Sequence, residues 1–408
     1  LQRGEAIGIA IALIILIVVF GTVVAAVVPI LLAIVAIIVA FGLTALIGQV
    51  LELSFFVTNM ITMIGLAVGI DYSLFIVSRY REERQRGYEK VDAIERAGGT
   101  ASRAVFFSGL IVVLALSSML FVPASIFVSL SIGAIGVVVA AVAAALTLLP
   151  AVLALLGDRI DRLRVRKAPA DPEQHGGLWD RVGRTVMNRP WISLIASSLI
   201  LLFFASFWLR LDAGFSGVTT LPEDTPSREA YEMLTAAGIP AGSGTPVEVV
   251  VDGTITPEVE AAVADLQTAM AGFEYERDGA TLPLFSPATV EQGPDGDLAI
   301  VSAALATDFQ DDVSTDAVAT LRAETIPAAF AGLDVEVLVG GGAAFNVDFF
   351  DDARQAQPIV FLWVLGLSFL LLLVVFRSLV IPLTSILMNL LSVAAAYGLS
   401  LIHISEPT

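Results

Sequence analysis

Asp71 and Tyr72, within NMITMIGLAVGIDYSLFIVSRY, are the residues whose type and position best suit chemistry. Asp71 precedes Arg79 by eight residues in an otherwise apolar run, so on a helix rising about 1.5 Å per residue it stands about 12 Å inside the end marked by that arginine. An ionisable group at such depth costs at least about 2.5 to 3.5 kcal/mol on insertion scales, and a proton, a charged partner or a water-lined route must compensate. Low dielectric favours the neutral form of a carboxyl group, the property a proton carrier needs. Tyr72 points about 100° away from Asp71 and cannot face it within the same helix, and a neighbouring helix is where its hydroxyl could help hold a water or proton path. Proton coupling is one reading of Asp71; a buried polar contact that fixes helix packing is the other. Gly65 and Gly69, four residues apart, permit close helix contact.

Other polar residues read more plainly. Thr58, Thr62, Ser108, Ser117 and Ser118 are hydroxyls that can bond their own helix backbone, a structural role. Asn389 fits helix association as well as transport, and Glu52 falls near an expected outer helix end, facing headgroups or water.

These residues need a membrane array to hold them. The chain has 408 residues, 57% hydrophobic and 15% charged, against about 25% charged in a soluble protein, and its mean hydropathy is +0.86. That argues for a polytopic α-helical membrane protein and against a cytosolic enzyme. With no cysteine, and with His175 and His403 as the two histidines, thiolate chemistry and a histidine-rich metal centre are ruled out. No enzyme activity, cofactor or metal is expected. GLAVGID and GIPAGSG lack the Lys and Ser or Thr of an ATP-binding loop, and the glycines of LVGGGAAF suit a junction beside the membrane.

Eight stretches are spanning candidates: 6–20, 23–47, 56–78, 104–122, 125–156, 191–208, 357–376 and 379–402. Basic residues cluster in 79–103 and 158–190, which the positive-inside rule places in the cytoplasm. That rule explains their charge without nucleic acid. Around Tyr88, Val91, Ile94 and Ala97 a short amphipathic surface helix touching anionic lipid is expected. Residues 210–356 then fall outside, carrying 26 acidic residues against 5 arginines. Within them GTPVEVVVDG, DLAIVSAAL and LDVEVLVGG pattern as strands, 257–271 and 314–330 as helices, and 238–244, 277–283 and 292–297 as exposed turns: an α+β domain. The Pro- and Gly-rich run 168–177 reads as a linker, and matching residues around Phe20 and Phe376 suggest two parallel repeats.

GLAVGIDYSLFIVSRYREE, followed by the basic stretch and RAGGTASRAVFFSGLIVVLAL, resembles the signature of the mycobacterial-type large membrane protein (MMPL) family of the resistance, nodulation and division (RND) superfamily. The resemblance covers residues 5 to 400. It implies an RND-type transmembrane bundle with one α+β extracytoplasmic porter domain. Residues 1–157 would supply transmembrane helices two to six, 158–190 a cytoplasmic linker, 191–209 helix seven, 210–356 the porter domain and 357–402 helices eight and nine. The first span and first porter domain would precede Leu1, and the last three spans would follow Thr408. LIHISEPT, at 401–408, resembles translated sequencing adapter and is expected to be non-native.

The family implies proton-driven outward movement of lipids or other hydrophobic compounds across the bacterial inner membrane, with Asp71 and Tyr72 matching its first proton-relay pair. VVFRS at 374–378 matches a family motif, whereas Phe20-Gly21-Thr22 departs from it. Expected partners are protons, a lipid or other hydrophobic substrate, the bilayer and a second copy of the chain. An auxiliary of protein translocation and a lipid- or sterol-binding membrane protein are the alternatives.

Overall fold

A computed structural model describes residues 2–165, 178–209, 217–277 and 279–404. The expected linker 168–177 and the last four residues of the 401–408 tail lie outside them. The structure separates into two compact units, residues 1–211 with 356–408, and residues 212–355.

The first unit begins with α1 (Gln2–Phe20), α2 (Val23–Ile47) and α3 (Phe56–Gln85). The basic stretch then forms α4 (Lys90–Ala97), a π turn over Gly98–Ser102, and α5 (Arg103–Leu116). Next come α6 (Ser125–Ala143), a second π turn over Ala144–Leu148, α7 (Leu149–Leu156), α8 (Leu178–Asn188) and α9 (Pro190–Trp208). Two sequence expectations change here. Arg79 lies inside α3, because the arginines and glutamates after it are good helix formers and the chain does not turn until Gly87, at φ +92°. The short helix α4 buries Ala93 and Ala97 and packs Ile94, with Tyr88 before it, partly against the bundle, whereas Val91 of the expected apolar set is exposed.

Residues 163–165 of the expected cytoplasmic linker fold back onto the bundle. Val165 N donates to Gly21 O at 2.9 Å and Val23 N to Leu163 O at 3.3 Å, bracing the turn between α1 and α2.

The acidic unit holds α10 (Pro226–Ala236), β1 (Val247–Asp252), α11 (Pro257–Ala271), β2 (Glu274–Arg277), β3 (Ala280–Pro283), β4 (Thr289–Gln292), β5 (Leu298–Ala303), α12 (Asp312–Thr320), α13 (Ile326–Ala329) and β6 (Glu336–Gly340). Four strands form an antiparallel sheet ordered β4-β5-β1-β6. Val247, Val249 and Val251 alternate into the core against Val259, Leu266 and Met270 of α11, as the period of two requires. Thr256 Oγ1 accepts from Val259 N, capping α11 ahead of Pro257. The turn expected over 277–283 is in part the hairpin β2–β3, whose strands are short and almost wholly exposed and therefore carry no alternation.

The last helices are α14 (Gly342–Phe376) and α15 (Val380–Ile404). The helix expected over 357–376 begins at Gly342, and Pro358 sits inside it without ending it. Residues 401–404 continue α15. Among the described residues seven helices are long and apolar enough to cross a membrane, with Ile7–Phe20 a shorter apolar helix. The outer faces of α1 and α9 are apolar and exposed, as lipid contact demands. α9 and α15 meet at Gly398, which presses against the Phe204 carbonyl with no room for a Cβ.

Candidate functional site

α3 meets its neighbours along one line. Val57, Ile61, Gly65, Gly69, Tyr72 and Ile76 are buried, spaced three and four apart on one helix face. A Cβ on Gly69 would lie 2.8 Å from Ala33 Cα on α2, and one on Gly65 would lie 2.7 Å from Val137 Cγ2 on α6. Glycine at both places lets three helix backbones approach more closely than any larger residue would.

Asp71 falls off that line. It is exposed, on a stripe with Met63, Ala67 and Phe75. One residue is a 100° step around the helix, and Tyr72 occupies the interior position, leaving Asp71 on the flank. Tyr72 is 6% exposed, and its hydroxyl interacts with the Ser108 side chain on α5. Its ring passes beside Gly109, where an added Cβ would stand 3.6 Å from the ring Cε2.

Ser108 therefore does more than serve its own backbone, which sequence reasoning missed; the usable signal was Gly109 beside it, the small residue that admits the Tyr72 ring. The other hydroxyls do turn to their own helices. Thr58 bonds Phe55 O at 2.9 Å, Thr62 bonds Asn59 O at 3.0 Å, Ser117 bonds Leu114 O at 2.8 Å and Ser118 bonds Ala115 O at 2.6 Å. Asn389 and Glu52 are exposed.

The basic end of α3 is a second constellation that the sequence concealed. Glu83, its side chain 3% exposed, pairs with Arg79 at 2.7 Å and Arg86 at 2.8 Å. Arg81 forks onto Asp161 at 2.8 and 3.1 Å and donates to Phe20 O at 2.9 Å; Arg84 pairs with Asp158 and donates to Tyr88 O at 2.7 Å. These bonds tie α3 to the ends of α1 and α7. The spacing Arg79, Glu83, Arg86 was the signal, since residues three and four apart share a helix face.

In the acidic unit a groove of about 650 Å³ is bordered by Tyr231, Tyr275, Arg277, Asp308 and Asp311. Burial pushes the Asp311 carboxyl above its usual range, with a bond from Asp308 N at 3.2 Å partly opposing the shift. Because the folded carboxyl holds its proton more tightly than the unfolded one, the stability it contributes is full below the unfolded carboxylate range and is lost as pH rises through the folded value. Asp311→Asn should therefore slow amide exchange in β5 and α12 relative to the parent chain at pH 7, and the difference should vanish at pH 4. Faster exchange in the variant at pH 7 would show that the charge is supported and not tolerated. On the far side of α12, Arg322 donates to Val339 O at 2.8 Å and pairs with Asp348, which pushes the guanidinium's pKa up.

Comparison with known proteins follows the same layout. The sequence matches the MMPL family over residues 1–193 and 219–406. It is 36% identical over 95% of its length to a mycolic acid-containing lipids exporter, MmpL11, of Mycolicibacterium smegmatis, covering 40% of that protein. It is 32% identical over 98% of its length to a heme uptake protein, MmpL11, of Mycobacterium tuberculosis, covering 41% of it. Membrane protein YdfJ of Bacillus subtilis is 31% identical over 97% of the chain, with 52% of YdfJ covered. The chain thus spans about two fifths to one half the length of these curated relatives. A family match over nearly the whole chain, together with seven membrane-length helices and a small sheet unit, makes this polytopic membrane protein a member of the MMPL transporter family of the RND superfamily.

Proposed function

We propose that the protein exports lipids or other hydrophobic compounds across a bacterial inner membrane by using the proton-motive force, with Asp71 and Tyr72 as the proton relay. The observation that carries the reading is the seating of Tyr72 on Ser108 of a neighbouring helix, directly beside a carboxylate in the middle of a membrane-length helix. In this reading Asp71 takes up the proton on the flank of α3, and the Tyr72 hydroxyl, set against Ser108, carries the coupling into the bundle. The lipid exporter name of one relative supports the cargo class. In this reading residues 1–157, 191–209 and 357–402 lie in the membrane, 158–190 is cytoplasmic and 210–356, with its acidic excess, is the extracytoplasmic porter domain.

Proteoliposomes containing the product of the complete reading frame, an imposed pH gradient and a fluorescent long-chain lipid test this. Since one relative is named for uptake, the assay reads both directions. Outward lipid movement that stops when a protonophore is added is the expected result. Movement that ignores the gradient would sink the proton-driven reading, and net inward movement would reverse its direction.

A further inference from the structure

α5 and α14 touch at one end and part at the other. Trp363 Nε1 donates to Leu114 O at 2.9 Å and to Ser117 Oγ at 3.1 Å, and its ring meets Phe121 edge-on. Next to this anchor Leu367 and Ser368 close against Ile111 and Ala115, leaving no room for even a water-sized molecule. Toward the basic end the helices separate into an open groove of about 740 Å³. Its walls are apolar, built from Ala104, Phe107 and Ile111 on one side and Leu371, Leu372 and Val375 on the other.

Two arginines stand at the mouth. Arg103 opens α5, and Arg377 follows the last residue of α14. Arg377 is at φ +51°, a conformation unfavourable for any residue with a side chain, so the chain turns sharply where it presents this guanidinium. The Arg103 guanidinium sits 5.8 Å from the Phe107 ring, and among the described residues no ion pair includes either arginine. This contrasts with Arg79, Arg81, Arg84 and Arg86 on α3, each of which has a carboxylate partner.

Water would leave the walls unfavourably exposed, and a neutral hydrocarbon would leave the two cations unanswered. One ligand chemistry meets both demands: a phosphodiester joined to an acyl chain. From Ala104 to Ile111 the wall rises roughly 10 Å, enough for the upper half of such a chain. Guanidinium groups bind phosphate oxygens through paired N–H donors, better than a point charge would.

We propose that this groove is a binding site for an anionic phospholipid of the leaflet bordering the basic clusters, with its phosphate between Arg103 and Arg377 and one acyl chain along Phe107, Ile111 and Leu371. The site is separate from the transport reading and stands whether or not Asp71 carries protons. Ser108 also faces the groove, so the bound chain lies one side chain away from Tyr72.

Native mass spectrometry of the full chain tests it. The chain is released from micelles holding equal amounts of phosphatidylglycerol and phosphatidylethanolamine with identical acyl chains. Retention of one phosphatidylglycerol, favoured at least roughly tenfold, is expected from two surface arginines. The double variant Arg103→Gln/Arg377→Gln should bring the ratio to about one. Ile111→Trp, which fills the groove and leaves both arginines, should lower retention of both lipids, and it decides the matter if the double variant fails to fold. Millimolar inorganic phosphate should not displace the lipid. An unchanged ratio in the double variant, undiminished retention in Ile111→Trp, or displacement by phosphate alone would overturn the proposal.

Discussion

Asp71→Asn is expected to reduce lipid efflux from energised proteoliposomes to the level left by a protonophore, with the amount of folded protein unchanged or higher. Asparagine keeps the size and hydrogen-bonding shape of aspartate but cannot take up or release a proton, so coupling is lost completely rather than slowed. Removing a charge from a membrane-length helix relieves a penalty of about 2.5 to 3.5 kcal/mol, which is why yield should not fall. Tyr72→Phe separates the two members of the pair. Its ring still fills the space beside Gly109, while the hydroxyl facing Ser108 is gone. Loss of one such bond is worth about 1 kcal/mol, so efflux should slow roughly fivefold and remain proton-dependent. The decisive comparison is efflux with and without the gradient for each variant. Gradient-dependent efflux surviving in Asp71→Asn would remove Asp71 from the relay.

Gly69→Leu should abolish recovery of monodisperse protein, and Gly69→Ala should lower stability by about 1–3 kcal/mol. A Cβ at this position meets Ala33 Cα and Cβ, each 2.8 Å away. Backbone cannot rotate aside as a side chain can, so α2 and α3 must move apart, and the interior packed around them must loosen. Gly42→Ala is the matched control, because nothing lies within 4 Å of a Cβ there. On α2 that change gains up to about 1 kcal/mol of helix propensity. Size-exclusion profiles after stepwise heating in detergent read the ranking. If Gly69→Ala survives heating as well as Gly42→Ala, the close crossing of α2 and α3 is not what holds this bundle.

Much of the framework was legible because membrane helices and sheet strands write their constraints locally. Long apolar runs marked the spans, the alternation of Val247, Val249 and Val251 marked β1, and Thr256-Pro257 marked the start of α11. Tertiary contacts were less accessible. Helical period places Asp71 and Tyr72 on different faces, but only the packing of α2, α5 and α6 around α3 decides which face is interior. The hairpin β2–β3 is exposed except at Tyr275, which packs against the core, and so leaves no alternating signature. The continuity of α14 through Pro358 was hidden because proline normally argues for a break, although one lost backbone bond is tolerable in a helix of 35 residues. The pairing of Glu83 with two arginines was spaced correctly in the sequence, yet the same charges already had an explanation in membrane orientation.

The π turn over Gly98–Ser102 has the effect of one residue inserted into an otherwise α-helical path. Everything after it on the same helical path is displaced in phase by about 100°, including Ser108 and the groove wall that α5 supplies. Deleting Gly99 would restore ordinary helical phase while conserving every side chain that touches Tyr72 or the groove, and would turn those side chains to another bearing. A single-codon deletion would thus disconnect the tyrosine from its serine while leaving both residues in the sequence. Natural variants that lack this residue would need a different hydroxyl, one helical position along, to restore the same meeting.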